Sequence, residues 1–285
     1  MKRVLFVSDF ELKDAPGGAQ ISNREIVNKG RELGYEITEH FHNSSITDFL
    51  SHYDLLISSN MAVISASSDK INFILKHQNH VRLEHDSCQY LTDQGRKLIF
   101  GSSKKNFFLS DFHLNFFKEL YGDIFGNTEI VYDPINTEIF KKSNLDKTYD
   151  VVYCGYLHPD KGFGNLLEFA KTNSDRKIDI FGMCDKIINP RSLDSIDNIK
   201  LHDEWLNEEE VAKLFQQSKA VFHYPIVNEP FCRMVAEAML CGVEEIIGSP
   251  EKIGSCLEFE KVGYENFKEG CKNAAETFWS KIKNL

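Results

Sequence analysis

The sequence predicts an α/β protein built from two Rossmann-like, doubly wound domains that face each other across a cleft. Two observations carry this expectation. Short apolar, β-branched runs alternate with longer segments of helical periodicity, the pattern of a parallel sheet covered on both faces. A polar stretch from Lys141 to Thr148 interrupts the alternation, which then starts again. The boundaries that follow are a first domain over 1–145, a second over 146–263, and a C-terminal helix over 264–285 that can cross back to the first. At 285 residues, 42% of them hydrophobic, the chain has enough apolar material for two packed cores.

In the first domain, Val4 to Val7 reads as a buried strand and Gln20 to Leu33 as the helix after it. Strand-like runs recur at Tyr35–Phe41, Leu55–Ser58, Val81–Glu84, Lys97–Phe100 and Glu129–Tyr132, with a clear helix over Ser110–Leu120. The second domain gives strands at Val151–Cys154, Ile178–Phe181, Ile199–His202, Ala220–Tyr224 and Glu244–Ile247. Helices are expected over Asn165–Thr172, Glu208–Gln217, Phe231–Cys241 and Glu265–Ile282. Sheets of this kind bind ligands outside the carboxyl ends of their strands. The pairs Phe107-Phe108 and Phe116-Phe117 read as core or interdomain packing.

Charge narrows the partners. Lys and Arg number 33 and Asp and Glu 43, a net charge of −10, which offers no general attraction to nucleic acid or anionic lipid. A basic patch confined to one face would still escape this sum, so nucleic acid is disfavoured rather than excluded. Lys104-Lys105 and Lys141-Lys142 read as solvated faces. Seven cysteines, Cys88, Cys154, Cys184, Cys232, Cys241, Cys256 and Cys271, form no CxxC pair. That usage fits a reducing cytoplasm better than a disulfide framework or a zinc knuckle. The apolar run at the N-terminus is too short for a signal peptide, and no run reaches the length of a spanning helix.

The most informative segment runs from Asn228 to Gly242, with Glu229 and Glu237 eight residues apart. Eight helical residues would span about 12 Å, comparable to the distance between the sugar and the ribose of a nucleoside diphosphosugar. Ionised carboxylates accept from hydroxyls, and the free amides at a helix start make an anion site between them. In isolation the two glutamates would read as a helix-start charge and a solvated residue. Cys232 and Cys241 read as packing on a buried helix.

The surrounding motifs change that reading. The segment Glu229 to Gly242 resembles the E-x7-E element of retaining glycosyltransferases of GT-B fold, the family four type. Pro16-Gly17-Gly18-Ala19-Gln20 resembles the family's glycine-pair loop, and Glu84-His85-Asp86 its His-containing loop. Ser110-Asp111-Phe112-His113 with Val131 to Phe140, Cys154 to Gly162, and Ile178 to Gly182 continue the likeness in order along nearly the whole chain.

The resemblance implies an acceptor-side first domain, a donor-binding second domain, and retaining hexosyl transfer from a UDP- or GDP-sugar without a metal or other cofactor. Lys161, Glu229 and His85 take the catalytic roles: Lys161 neutralises the departing diphosphate, Glu229 orients the sugar and His85 meets a sugar hydroxyl or the forming bond. Gly17, Gly18, Phe231, Cys232, Arg233 and Glu237 take the donor, with Glu237 on the ribose. The acceptor implied is a glycan, a lipid-linked saccharide or a modified nucleobase. One departure stands out: the family's usual Arg after the donor-domain glycine is Tyr156. A catalytically inactive nucleotide-sugar or glycan-binding protein is the alternative that this departure raises. An oxidoreductase is poorly supported, because the first turn lacks G-x-G-x-x-G. His202-Asp203-Glu204-Trp205 reads either as a base contact or as a plain loop.

Overall fold

A computed structural model describes residues 2–87, 93–185, 188–193, 195–202 and 204–285; Cys88 and Asp203 lie outside them. The chain divides into two compact units, Met1–Pro134 with Glu269–Leu285, and Ile135–Lys268. The divisions thus fall at 134/135 and 268/269, whereas the sequence placed them at 145 and 263.

The first unit runs β1 (Arg3–Val7), α1 (Gly18–Glu32), β2 (Glu36–His40), β3 (Leu55–Ser58), α2 (Ser68–Lys76) and β4 (His80–Leu83). It continues with α3 (Asp93–Ser102), β5 (Lys105–Phe108), α4 (Asp111–Tyr121) and β6 (Thr128–Ile130). Its six strands are all parallel, in the order β2-β1-β3-β4-β5-β6. Val4, Leu5, Phe6 and Val7 are buried, as a strand covered on both faces requires.

Two expectations fail here for one reason. Lys97–Phe100 belongs to α3, not to a strand, and Lys105–Phe108 is a strand that the reading missed. A short apolar run does not distinguish buried helix from buried strand. Lys105 is consequently buried, its Nζ donating to Lys281 O at 3.0 Å and reaching Glu129 at 3.4 Å. Lys104 stays exposed. The phenylalanine pairs do pack: Phe107 lies 4.7 Å from Phe278, and Phe108 and Phe117 share a cluster with Phe100, Tyr121 and Phe125.

The second unit runs β7 (Tyr149–Cys154), α5 (Phe163–Thr172), β8 (Ile178–Phe181), β9 (Ile199–Leu201), α6 (Glu208–Gln216) and β10 (Ser218–His223). Then follow α7 (Arg233–Leu240), β11 (Glu245–Gly248) and α8 (Gly254–Lys272). The five strands are parallel in the order β11-β10-β7-β8-β9. The single terminal helix expected over Glu265–Ile282 is in fact two pieces, α8 and α9 (Ala274–Ile282), and α8 is itself broken at Gly263, where φ is 76°. Among the described residues, no helix is long and apolar enough to cross a membrane.

Helix α9 closes the first unit. Trp279 is 1% exposed, stacks on Tyr35 at 4.5 Å, and donates from Nε1 to Ile26 O of α1 at 2.7 Å. Gly30 makes the approach possible, since a Cβ there would stand 2.2 Å from the Trp279 ring and 2.6 Å from Ile37. Gly30→Ala should gain about 1 kcal/mol of helix propensity yet lose about 1–3 kcal/mol to overpacking. A net drop in stability in urea unfolding is expected; a more stable variant would show that α1 and α9 are not closely docked.

Candidate active site

The chain leaves β7 toward β8 and β9, then returns to β10 on the other side of β7. The carboxyl ends of β7 and β10 therefore flank a topological switch point, where open α/β sheets leave a crevice. The turn after β7 ends in a short helical turn, Pro159–Lys161, followed by Gly162 at φ 85°. A Cβ on Gly162 would fall 1.8 Å from Tyr224 O, so glycine lets this turn lie directly against the chain leaving β10. The Ile226 amide donates to Asp160 O at 3.0 Å and ties the two segments together. This brings Lys161 Nζ within 2.5 Å of Glu229 Oε1.

Glu229 is held by its backbone, its amide donating to Lys252 O and its carbonyl accepting from the Gly254 amide, both at 2.9 Å. It is not on the helix. Cys232 takes a left-handed conformation (φ 65°, ψ 85°) as the cap of α7, which starts only at Arg233. Glu237 thus sits about one turn inside the helix rather than two, and the straight helical span from Glu229 to Glu237 does not apply. Arg233 Nε pairs with Glu237 Oε1 at 2.7 Å, both side chains nearly buried. The Phe231 ring is buried and stacks on Phe267, while its carbonyl accepts from the Ser255 amide.

His223, the last residue of β10, is a site residue that the sequence reading missed. Its Nε2 lies 3.3 Å from Cys232 Sγ and 3.5 Å from Glu229 Oε1. Cys232 is therefore not simple packing, whereas Cys241 is buried as expected. Burial alone would raise the Glu229 carboxyl, but His223 and Lys161 outweigh it and hold the group at about 2. Burial would likewise lower His223, but Cys232 and Glu229 outweigh it and raise the imidazole to about 9. Tyr156 is half-exposed, and its hydroxyl donates to Asp185 Oδ2 at 2.9 Å. His202 is occupied structurally, stacked on Phe181 at 4.0 Å with Nε2 2.7 Å from Asp179, while Trp205 is exposed.

The first unit gathers its own polar cluster at the ends of β1, β3 and β4. Gly17 caps α1 in an extended conformation, and a Cβ there would crowd only the far end of Gln20, so the fold itself does not demand glycine. Arg82 Nη2 donates to Glu84 Oε2 at 2.7 Å and its Nη1 to Ser59 O at 2.7 Å, while Glu84 Oε1 accepts from the Asp86 amide. Burial opposes ionisation of Glu84, but the neighbouring Arg82 and Arg96 cations hold it at about 2. This buried pair shapes the loop that carries His85.

A chain of amides then orients the imidazole. Asn60 Nδ2 donates to Asp86 Oδ2, Asn23 Nδ2 donates to Asn60 Oδ1, and Asn23 Oδ1 faces His85 Nε2 at 3.1 Å. With the amide orientations set by this network, Nε2 is the nitrogen that carries the hydrogen toward Asn23. His85 Nδ1 lies 3.6 Å from Asp133 Oδ1. Asn23 and Asn60 carry no motif signal and were not anticipated; Asp133 lies in the Val131–Phe140 motif but was given no role.

Residues 135–261 match the family model of glycosyl transferases group 1. The match lies within the second unit and spans somewhat less than half of the chain. The chain's fold is GT-B, the fold of solved glycosyltransferase structures. HepE of Anabaena, in complex with UDP and glucose, superposes with a TM-score of 0.61 at 14% identity, over 99% of this chain and 95% of that one. AviGT4, a glycosyltransferase involved in avilamycin A biosynthesis, gives 0.63 at 14% identity over 100% and 98%. An alpha-glucosyltransferase in complex with UDP and a 13-mer DNA containing an HMU base gives 0.60 at 13% identity over 99% and 98%. No curated protein sequence matches the chain.

The electrostatics of Glu229 give a pH prediction. Its pKa falls from 4.5 to about 2 on folding, so its stabilising contribution is present above about pH 4.5 and is lost as pH falls toward 2. The shift corresponds to about 3 kcal/mol. In denaturant unfolding across pH, the protein and its Glu229→Gln variant should differ at pH 6 and converge in acid. A gap that persists unchanged at pH 2.5 would mean that charge is not what Glu229 contributes.

Proposed function

We propose that the transferase moves a hexosyl group from a nucleoside diphosphate sugar to a hydroxyl acceptor, with retention and without a metal. The observation that carries this reading is the Lys161–Glu229 pair at the switch point between β7 and β10, inside the domain that matches the family. The donor we favour is a UDP-sugar, with GDP-sugars second. In support, HepE and the alpha-glucosyltransferase found in complex with DNA both hold UDP.

On donor binding, Lys161 turns from Glu229 to the diphosphate and neutralises the charge that grows on the leaving group. Glu229, released, accepts from a sugar hydroxyl, and Glu237 accepts from the ribose. Amides around Phe231 and Cys232, and the Gly17-Gly18 turn, take phosphate oxygens, with Arg233 positioning Glu237. His85 meets a sugar hydroxyl. The leaving diphosphate accepts the acceptor's proton, so no protein nucleophile is needed. Glycans, lipid-linked saccharides and modified nucleobases are the acceptors to test; a net charge of −10 places nucleic acid last. A reducing cytoplasm is the compartment we propose, since the described cysteines are all free.

One observation favours a second reading, an inactive nucleotide-sugar-binding protein: the Tyr156 hydroxyl is spent on Asp185 and brings no cation to the site. Product formation separates the two. On the first reading, Lys161→Ala should lower turnover by about 10²–10³ or more, as loss of one preorganised group does, while a folded protein still binds nucleotide. Glu237→Ala should mainly weaken binding of the free nucleoside diphosphate in calorimetry, and Glu229→Ala should mainly slow transfer. Activity should also survive EDTA. A Lys161→Ala enzyme with a tenth of its activity, or a strict requirement for added manganese, would overturn the assignment.

A further inference from the structure

The donor reading gives roles to Lys161 and Glu229 but leaves His223 unused and explains Cys232 only through its backbone. These side chains nevertheless converge. One ligand atom from each of His223, Glu229 and Cys232 lies within 4.8 Å of the others. His223 and Glu229 are buried and Cys232 is partly so. Cys232 reaches this position at φ 65°, and among the described residues no other residue except glycine has a positive φ. Glycine would sit there without strain, whereas a side chain costs energy at such a position.

Two of the three edges fit a definite coordination geometry, and the third, from Cys232 to Glu229, is within 4.8 Å. A tetrahedral zinc ion with bonds of about 2.0–2.1 Å to nitrogen and oxygen and about 2.3 Å to sulfur has ligand-to-ligand edges of about 3.3–3.6 Å. The observed edges are 3.3 Å from Cys232 Sγ to His223 Nε2 and 3.5 Å from His223 Nε2 to Glu229 Oε1. One nitrogen, one sulfur and one oxygen suit zinc; magnesium, calcium and manganese prefer oxygen ligands.

We propose that His223, Glu229 and Cys232 form a site for a thiophilic divalent cation, zinc by its donor set, whose occupancy shuts the transferase off. The inhibitory half rests on the donor reading above: a metal that takes Glu229 also dismantles the Lys161–Glu229 pair and leaves a second cation beside Lys161. Three protein ligands leave a fourth position for water. Coordination needs a thiolate sulfur and a bare Nε2, so binding releases protons to solvent. No covalent bond of the chain breaks and no oxidant is required. The ion acts here as an inhibitor, so the enzyme stripped with EDTA is the active form.

The test begins with the full chain, stripped with EDTA and dialysed, titrated with Co(II) as the spectroscopic probe and with Zn(II) as competitor. One equivalent of Co(II) should give a thiolate-to-metal charge-transfer band and the visible bands of a tetrahedral site, both abolished by zinc. In Cys232→Ser the charge-transfer band should vanish and zinc affinity should fall by more than about 100-fold, beyond the 10–100-fold that loss of an outer-shell partner costs. His223→Ala should lose affinity similarly, and Lys161→Met, which frees Glu229, should bind zinc several-fold more tightly. Circular dichroism confirms folding, and Cys232→Ser keeps the test open should His223→Ala fail to fold. Absence of a thiolate band, or a band unchanged in Cys232→Ser, overturns the site. That arm needs no sugar donor, so its failure leaves the glycosyltransferase reading untouched. If zinc binds here but does not lower turnover of the wild type, the inhibitory role is overturned.

Discussion

The second unit is organised around one buried carboxylate that must never be left alone. Glu229 carries its charge in a place where burial disfavours it, and the Lys161 ammonium and the His223 imidazole make that tolerable. Lys161 comes from the turn after β7 and His223 from the end of β10, so satisfying one charge pins two strand ends that are distant in sequence. The parallel topology makes this possible, because every strand of the sheet delivers its following turn to the same edge. Gly162 then removes the last steric obstacle between those turns.

The first unit solves a similar problem differently. Its buried charge pair, Arg82 and Glu84, comes from a single strand end and is fixed, while polar amides carry the orientation outward to His85. In the second unit the partners of Glu229 are a half-exposed lysine and a buried histidine that come from different strand ends. On the reading proposed above, one cluster holds its shape and the other exchanges partners.

The sequence showed most of the architecture and a definite part of the site. β3 and β8 were read to the residue, because each is a compact apolar run bounded by polar residues. Lys97–Phe100 misled because the residues of α3 form a run too short to reveal its period. The start of α7 was placed two residues early because nothing local announces that Cys232 adopts a left-handed conformation, which in other positions glycine would signal. Lys161, Glu229 and Glu237 were singled out through the family resemblance, and the structure brings Lys161 to Glu229 and pairs Glu237 with Arg233. His223 was not singled out: it precedes Glu229 by a loop whose path only the tertiary fold determines. Asn23 and Asn60 escaped for the same reason, since a relay between two loops and a helix leaves no periodic trace.

The return of α9 has a consequence for the order in which the protein comes into being on the ribosome. The first sheet is complete at residue 130, but the surface of α1 stays uncovered until Trp279 has been synthesised. At about 5–20 residues per second, roughly 8–30 s separate the completion of residue 134 from that of residue 285. During that interval the groove at Gly30 is an exposed apolar seat, while the whole second unit is made and can fold. The first unit to be synthesised is therefore the last to be finished, and a chaperone that shields α1 would act in this window.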